Sequence, residues 1–378
     1  MPSFGGAAGT GTRPWPATGR GTGYEGRRVG STGTGSATGA YGADAFSTRR
    51  NVSDGAGMVL LGACAGWSLI TAAAHDGRPE GMLLAVLAVA AGYAAGRVSG
   101  TLLPVAAPCA GAAAGLALAV TLPGLSPGPW YAAPLGHAGA TAALLALATG
   151  AACCAAWATA VPGLRLGLRV LACAVVAAGA VLGSAAGCAA SLGVLLCSLV
   201  AGAARSRGVW LAAPAVAAGL VAGTVWAVAA DALPGGLAGA LGGRFTAHRT
   251  GLWRDALWLA GRNGGLGVGP GRFGDPGPQA PRTLLSEGKP HSALLQQAAE
   301  QGLVGVFLLA AVFCWVLYAL WRIPRSTPIA VTAGAALTAL AALASVSNAL
   351  SFTTVTAGAG LLAGWATARP WAGGAPEP

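Results

Sequence analysis

Between residues 56 and 368 the chain alternates apolar stretches with short connectors, and ten stretches are long enough to cross a bilayer as helices. They lie near 56–74, 82–97, 102–122, 138–161, 169–185, 189–205, 209–230, 302–321, 329–347 and 350–368. A span needs roughly 17 to 25 mostly apolar residues, because the hydrocarbon core offers backbone amides and carbonyls no partner outside the helix. The fifth and sixth stretches require a turn at Ser184–Gly187, since a single helix through both would overshoot the bilayer. Composition agrees: 54% of residues are hydrophobic and 9% charged, with a mean hydropathy of +0.64, whereas soluble domains carry about 25% charged residues. The expected fold is all-α: a polytopic integral membrane protein of about ten transmembrane helices over residues 56–369. One large external polar segment, 231–301, carries short amphipathic helices.

Residues 1–55 are mainly Gly, Thr, Ser and Arg with few aliphatics. They cannot bury enough apolar surface to offset chain entropy, so a disordered cytoplasmic tail is expected there, with a second short tail at 370–378. The first tail has no apolar core followed by a cleavage site and is not a secretory signal; Met58 would make a conventional start for a membrane protein. The eight cysteines all fall in apolar runs without metal-ligand spacing, which reads as small packing residues.

Charge sets the orientation. Of the 22 cations 21 are Arg, spread singly or in pairs between the apolar runs, which disfavours a nucleic-acid face. Arg49 and Arg50, Arg97, Arg165 and Arg169, Arg205 and Arg207, Arg322 and Arg325, and Arg369 fall on alternate connections. Short loops rich in Lys and Arg stay cytoplasmic, so both termini are expected inside the cell membrane and segment 231–301 outside it. His75, His137, His248 and His291 then all lie on the outer side. No Asp, Glu, Lys or His falls within an expected span, which disfavours a proton-coupled transporter.

The outer segment carries the candidate chemistry. At 100° per residue, Leu252, Trp253, Ala256, Leu257, Leu259 and Ala260 form one stripe with Arg249 at its centre, while Arg254, Asp255 and Arg262 lie opposite. This pattern predicts an amphipathic helix in the membrane interface, apolar side down. Arg249 then either snorkels to headgroups or meets the phosphates of a lipid-linked substrate, which a guanidinium grips with two parallel bonds. The run Gly264–Gly277 lacks the Gly-Lys-Ser/Thr of a phosphate loop and the strand of a dinucleotide fingerprint; it predicts a tight, re-entrant path close to the bilayer. His291 opens the run into the eighth span. It is either a surface histidine making a capping contact or a base able to take a proton at neutral pH.

In order and spacing, Arg249-Thr-Gly-Leu-Trp253-Arg254-Asp255-Ala256-Leu257, then Gly267-Val-Gly-Pro-Gly-Arg-Phe273, then His291-Ser-Ala-Leu-Leu-Gln296 and Glu300-Gln-Gly-Leu-Val-Gly305 resemble the O-antigen ligase and polymerase family of membrane glycosyltransferases. The resemblance covers about 60 of the 378 residues; elsewhere the agreement is only in being helical and polytopic. It implies an activity: transfer of a polyprenyl-pyrophosphate-linked glycan to an acceptor hydroxyl of a glycan, lipid or protein on the outer face of the cytoplasmic membrane. In that reading Arg249 holds the lipid pyrophosphate and His291 deprotonates the acceptor. Arg254 is a second phosphate contact, and Arg272, Gly269 and Gly271 line the donor site. The family's Ser-Arg-Gly motif, expected two spans before the large loop, is replaced by Ser184-Ala185-Ala186-Gly187. Arg205-Ser206-Arg207-Gly208 looks like that motif but falls on the cytoplasmic side of this topology.

The chemistry is consistent within itself. Polyprenyl pyrophosphate is a good leaving group, so transfer needs charge stabilisation and a base rather than a cofactor. No Asp-x-Asp pair occurs and the outer acids are dispersed, which disfavours a metal-dependent nucleotide-sugar transferase. Three alternatives stay open: a glycan-repeat polymerase of the same superfamily, a non-enzymatic transporter of the lipid-linked glycan, and an inactive scaffold.

Overall fold

The computed structural model describes residues 37–121, 134–203, 206–233, 236, 247–262, 265–273, 290–323 and 325–369. The chain divides into residues 1–50 and 51–378, and the helical bundle belongs to the second unit. The helices of the chain are α1 (Ala37–His75), which enters this unit from residue 51, α2 (Glu80–Leu102), α3 (Ala106–Thr121), α4 (Pro134–Ala158), α5 (Pro162–Val181), α6 (Ala185–Ala201), α7 (Arg207–Ala229), α8 (Ala247–Arg262), α9 (Ala293–Arg322), α10 (Thr327–Val346) and α11 (Thr353–Thr367). A 3-10 turn, Ala349–Ser351, joins the last two. No strand occurs among the described residues. Helix α1 reaches back to Ala37, inside the stretch expected to be irregular, because extending an established helix adds a bond for each residue fixed.

Ten helices coincide with the ten apolar stretches, and α8 lies in the polar segment. Seven are long and apolar enough to cross a membrane: α1 from Asp54, α2, α4 from Ala138, α5, α7, α9 and α10. Helices α3, α6 and α11 have 16, 17 and 15 residues and are shorter than a full span. Two helices form the centre: 89% of the apolar window of α4 and 78% of that of α10 are buried, against at most 28% in the other five. The outer helices turn Ile70, Leu87, Val170, Leu196, Leu220 and Phe307 outward. In water so extensive an apolar exterior would aggregate; a bilayer solvates it, and the chain is a multi-pass helical membrane protein.

Close backbone approach replaces aqueous hydrophobic pressure as the packing device. Helices α2 and α11 meet along Gly92, Gly96 and Gly100 on one side and Gly360 and Gly364 on the other. A methyl at Gly92 would lie 2.4 Å from the Ala357 carbonyl oxygen, and one at Gly364 2.4 Å from that of Tyr93. The pair is pinned by the Trp365 indole N–H, which donates to Ser99 Oγ at 2.8 Å.

The two ends of the bundle differ in chemistry. One end gathers the arginines of the alternate connections, and several of them bind backbone. Arg325 donates to the carbonyls of Ala368 (2.5 Å) and Gly100 (3.2 Å). Arg207 donates to those of Ile323 and Arg325, and Arg165 to that of Thr159 at 2.9 Å. Burial shifts the Arg325 guanidinium below its usual pKa, while the carbonyls it holds close the α9–α10 connection against α2 and α11. Arg97 pairs with Asp54 at 3.0 Å and ties α2 to α1. The opposite end carries the polar segment.

Candidate functional site

At that opposite end a second, smaller core stands apart from the bundle core. It consists of Val225 and Ala229 of α7, Leu252, Trp253, Ala256 and Leu259 of α8, Phe273 of the glycine-rich run, and Leu295 and Ala299 of α9. The apolar stripe of α8 therefore faces protein. Leu252, Trp253 and Ala256 are wholly buried, and this corrects the expectation of a helix lying apolar side down on the membrane. Periodicity marks a face that must leave water; here the ends of α7 and α9 cover it before lipid can.

Helix α9 is broken. Gly302 has φ 69° and ψ −169°, separating a short segment, 293–301, from the apolar remainder. The break releases carbonyls that an unbroken helix would use internally, and three of them are taken up from outside. Val268 N–H donates to Ala299 O and Gly269 N–H to Glu300 O, both at 2.9 Å, and the Trp67 indole of α1 donates to Gln301 O at 3.0 Å. Glycine is required on both sides of this junction. A methyl at Gly302 would sit 2.2 Å from Gly265 O, and one at Gly267, with φ 69°, would sit 2.5 Å from the carbonyl carbon of Glu300.

The glycine-rich run is thus a spacer between the break in α9 and the α1–α2 turn. Arg78 N–H donates to Pro270 O at 2.8 Å, and Arg272 caps the end of α1 by donating to the His75 carbonyl. Gly269 packs on His75 and Gly271 on Arg78. The described part of the run, 265–273, packs on the ends of α1 and α9, with the amide of Gly269 and one arm of Arg272 engaged within the fold.

One hydrogen bond joins the helix that carries Arg249 to the turn that carries His291. The buried indole of Trp253 donates to Pro290 O at 3.0 Å. Arg249 is the i−4 neighbour of Trp253 on the same helix face, about 6 Å away by helix geometry, and His291 follows Pro290 directly. The bond therefore brings the Arg249 face of α8 and the His291 turn into one neighbourhood. His291 is half-buried, with φ 48°. Left-handed backbone strains a non-glycine residue, and here it is fixed on both sides: by the Trp253 bond before it, and after it by Ser292, whose Oγ caps α9 by accepting from Leu295 N–H at 3.4 Å. Ala293 N–H donates to Ser347 O at 3.2 Å, anchoring the turn to the end of α10. Arg249 is half-buried. Arg254 is exposed and pairs with the exposed Asp231 at 3.0 Å.

Sequence reasoning missed two groups here. Glu300, only 7% exposed, accepts from Gln296 Nε2 at 3.0 Å and sits beside the buried Gln301. This carboxylate lies in the short segment 293–301, before the Gly302 break and outside the expected span 302–321. Asn348, in the α10–α11 elbow next to Ser347, is buried, and its Oδ1 has no hydrogen-bond partner among the described residues. Nothing in its sequence context singles it out. Ala185 also lies at this end, in the first turn of α6, where Ser184 Oγ caps the helix by accepting from Gly187 N–H at 3.2 Å. Arg207 of the Arg-Ser-Arg-Gly run is at the arginine-rich end. The side chains of His137 and His248 lie outside the described residues. Comparison of the chain with protein-family models, with curated proteins and with solved structures gives no match.

Proposed function

We propose that this protein is a membrane glycosyltransferase of the O-antigen ligase type. It would move a glycan from a polyprenyl-pyrophosphate carrier to an acceptor hydroxyl at the end of the bundle opposite the arginine clamps, on the outer face of the cytoplasmic membrane. The observation that carries the reading is the Trp253–Pro290 hydrogen bond, which joins the arginine-bearing face of α8 to the histidine turn of α9. In this mechanism Arg249 grips the diphosphate with its planar fork, and Arg254 exchanges its weak surface pair with Asp231 for a phosphate oxygen. His291 takes the proton of the acceptor hydroxyl as its oxygen attacks the anomeric carbon. The carbon–oxygen bond to the carrier breaks, and the diphosphate leaves with the electron pair. Ten crossings complete this topology, with α3, α6 and α11 as short spans and both termini on the cytoplasmic side.

The test is to incubate purified protein with a polyprenyl-pyrophosphate glycan and acceptor and to measure free polyprenyl pyrophosphate. Wild type should release it, His291→Ala should not, and Arg249→Lys should lose most of the rate because a point charge does not reproduce the fork. Full activity in His291→Ala would remove the histidine from the chemistry. A second reading, transport of the lipid-linked glycan, gains from one observation: the broken helix α9 carries a buried Glu300 beside its break, a feature shared with transporters built on discontinuous helices. Movement of the carrier across vesicles without its consumption would favour that reading.

A further inference from the structure

At the arginine-rich end, helices α7 and α9 leave a shallow apolar groove. Its floor is Gly208, Ala212 and Ala215, and its wall is Leu317, Tyr318 and Trp321. The small residues keep α7 low, so the groove follows the bundle surface beside Val209, Val216 and Phe307, all exposed and apolar. Its mouth is held rigidly: Arg207, at the start of α7, donates to the carbonyls of Ile323 and Arg325 just past the end of α9. Over the wall lies Arg322, whose guanidinium carbon is 5.9 Å from the Tyr318 ring centre and 6.0 Å from that of Trp321. Cation–aromatic contact orients a guanidinium without using its N–H donors. Among the described residues no carboxylate is seen to pair with Arg322, and Asp54 is committed to Arg97. The Trp321 indole nitrogen adds a donor at the mouth, 3.7 Å from where a Gly208 methyl would be.

We propose that this groove is a binding site for an anionic phospholipid. An acyl chain would lie on the Gly208–Ala215 floor, and the phosphate would accept hydrogen bonds from Arg322 and the Trp321 indole. Two features favour lipid over a protein partner: the groove is flanked by exposed apolar side chains of helices long enough to cross a bilayer, and the charge over its wall is the Arg322 cation, at the end of α9, for which the described residues supply no carboxylate. The site is independent of the transferase reading and requires only that the bundle be in a membrane.

The experiment embeds the purified full chain in nanodiscs of equal phosphatidylglycerol and phosphatidylcholine and measures retained lipid by native mass spectrometry. Wild type should retain phosphatidylglycerol preferentially, and Arg322→Gln should cut that preference about fivefold, the factor one basic side chain near an anionic surface supplies. Ala212→Phe, which fills the floor and leaves the charge, should lower retention of both lipids. Because wild-type preference must also fall as salt rises, the proposal stays testable if a variant fails to fold. Equal retention of the two lipids by wild type, a salt-independent preference, an unchanged preference in Arg322→Gln, or undiminished retention in Ala212→Phe would each overturn it.

Discussion

Replacing Gly302 by alanine tests whether the break in α9 is built into the fold. At φ 69° and ψ −169° the backbone is in a region essentially reserved for glycine, which costs another residue about 1–3 kcal/mol. The added methyl would also lie 2.2 Å from Gly265 O and 2.6 Å from its carbon. These are backbone atoms that cannot swing aside, and forced overpacking adds about 1–3 kcal/mol. The alternative is for α9 to straighten through residue 302 and reclaim its carbonyls. That would strand the amides of Val268 and Gly269 and the Trp67 indole, at about 1–3 kcal/mol for each donor left buried and unpaired. The first route gives a loss of about 2 kcal/mol or more and the second about 3 kcal/mol or more. The assay is equilibrium unfolding in mixed micelles followed by tryptophan fluorescence, with Gly62→Ala as control. A methyl at Gly62 in α1 meets nothing within 4 Å, so the control should be neutral or up to about 1 kcal/mol more stable. A Gly302→Ala protein within about 0.5 kcal/mol of wild type would refute the idea that the break and its three external donors form one unit.

Trp253→Phe keeps most of the buried ring and deletes the donor to Pro290 O; unfolding measurements should show a loss of about 1 kcal/mol, while release of polyprenyl pyrophosphate should fall further than stability explains. Unchanged turnover in that variant would separate the bond from catalysis. Arg254→Ala should change stability by less than about 1 kcal/mol, because the Asp231 pair is exposed on both sides. A rise in donor KM without loss of the folded state is the expected kinetic result, and an unaltered KM would leave Arg254 a surface residue.

The helices were legible because an apolar run is a local signal that can be read without its neighbours: a helix overlaps each of the ten runs, and seven of these helices are long and apolar enough to cross a membrane. Their lengths were less legible. Helix α3 begins at Ala106, after Pro104 at the α2–α3 connection, which trims the stretch expected from 102, whereas α6 begins at its Ser184 cap, ahead of the expected 189, and ends at Ala201, short of 205; backbone punctuation sets boundaries that hydropathy alone misplaces. Partners of faces were not legible at all. The stripe of α8 looks the same whether lipid or protein covers it, and only the fold brings Val225, Phe273 and Leu295 onto it. Gly302 and the spacing of Gly92, Gly96 and Gly100 sit inside apparent spans as ordinary small residues. Their roles depend on a carbonyl supplied by a segment distant in sequence.

The same limit applies to the arginines. Sequence sorts them to two ends of the molecule, since their connections alternate, but it cannot say which guanidinium has donors to spare. At one end Arg207 and Arg325 spend theirs on backbone carbonyls of the α9–α10 and α11 termini, where lysine could not satisfy two acceptors in one plane. At the other end Arg254 keeps only an exposed pair with Asp231, and Arg272 gives one arm to the α1 terminus. A diphosphate needs planar donors that are fixed in place and still uncommitted. The buried core beneath α8 supplies the fixing for Arg254, because it holds the helix through Leu252, Trp253 and Ala256 and leaves the opposite face, which carries Arg254, to the solvent. If this end handles a lipid-linked phosphate, selectivity for it follows less from the number of cations than from that division between arginines that hold the fold and arginines that the fold holds out.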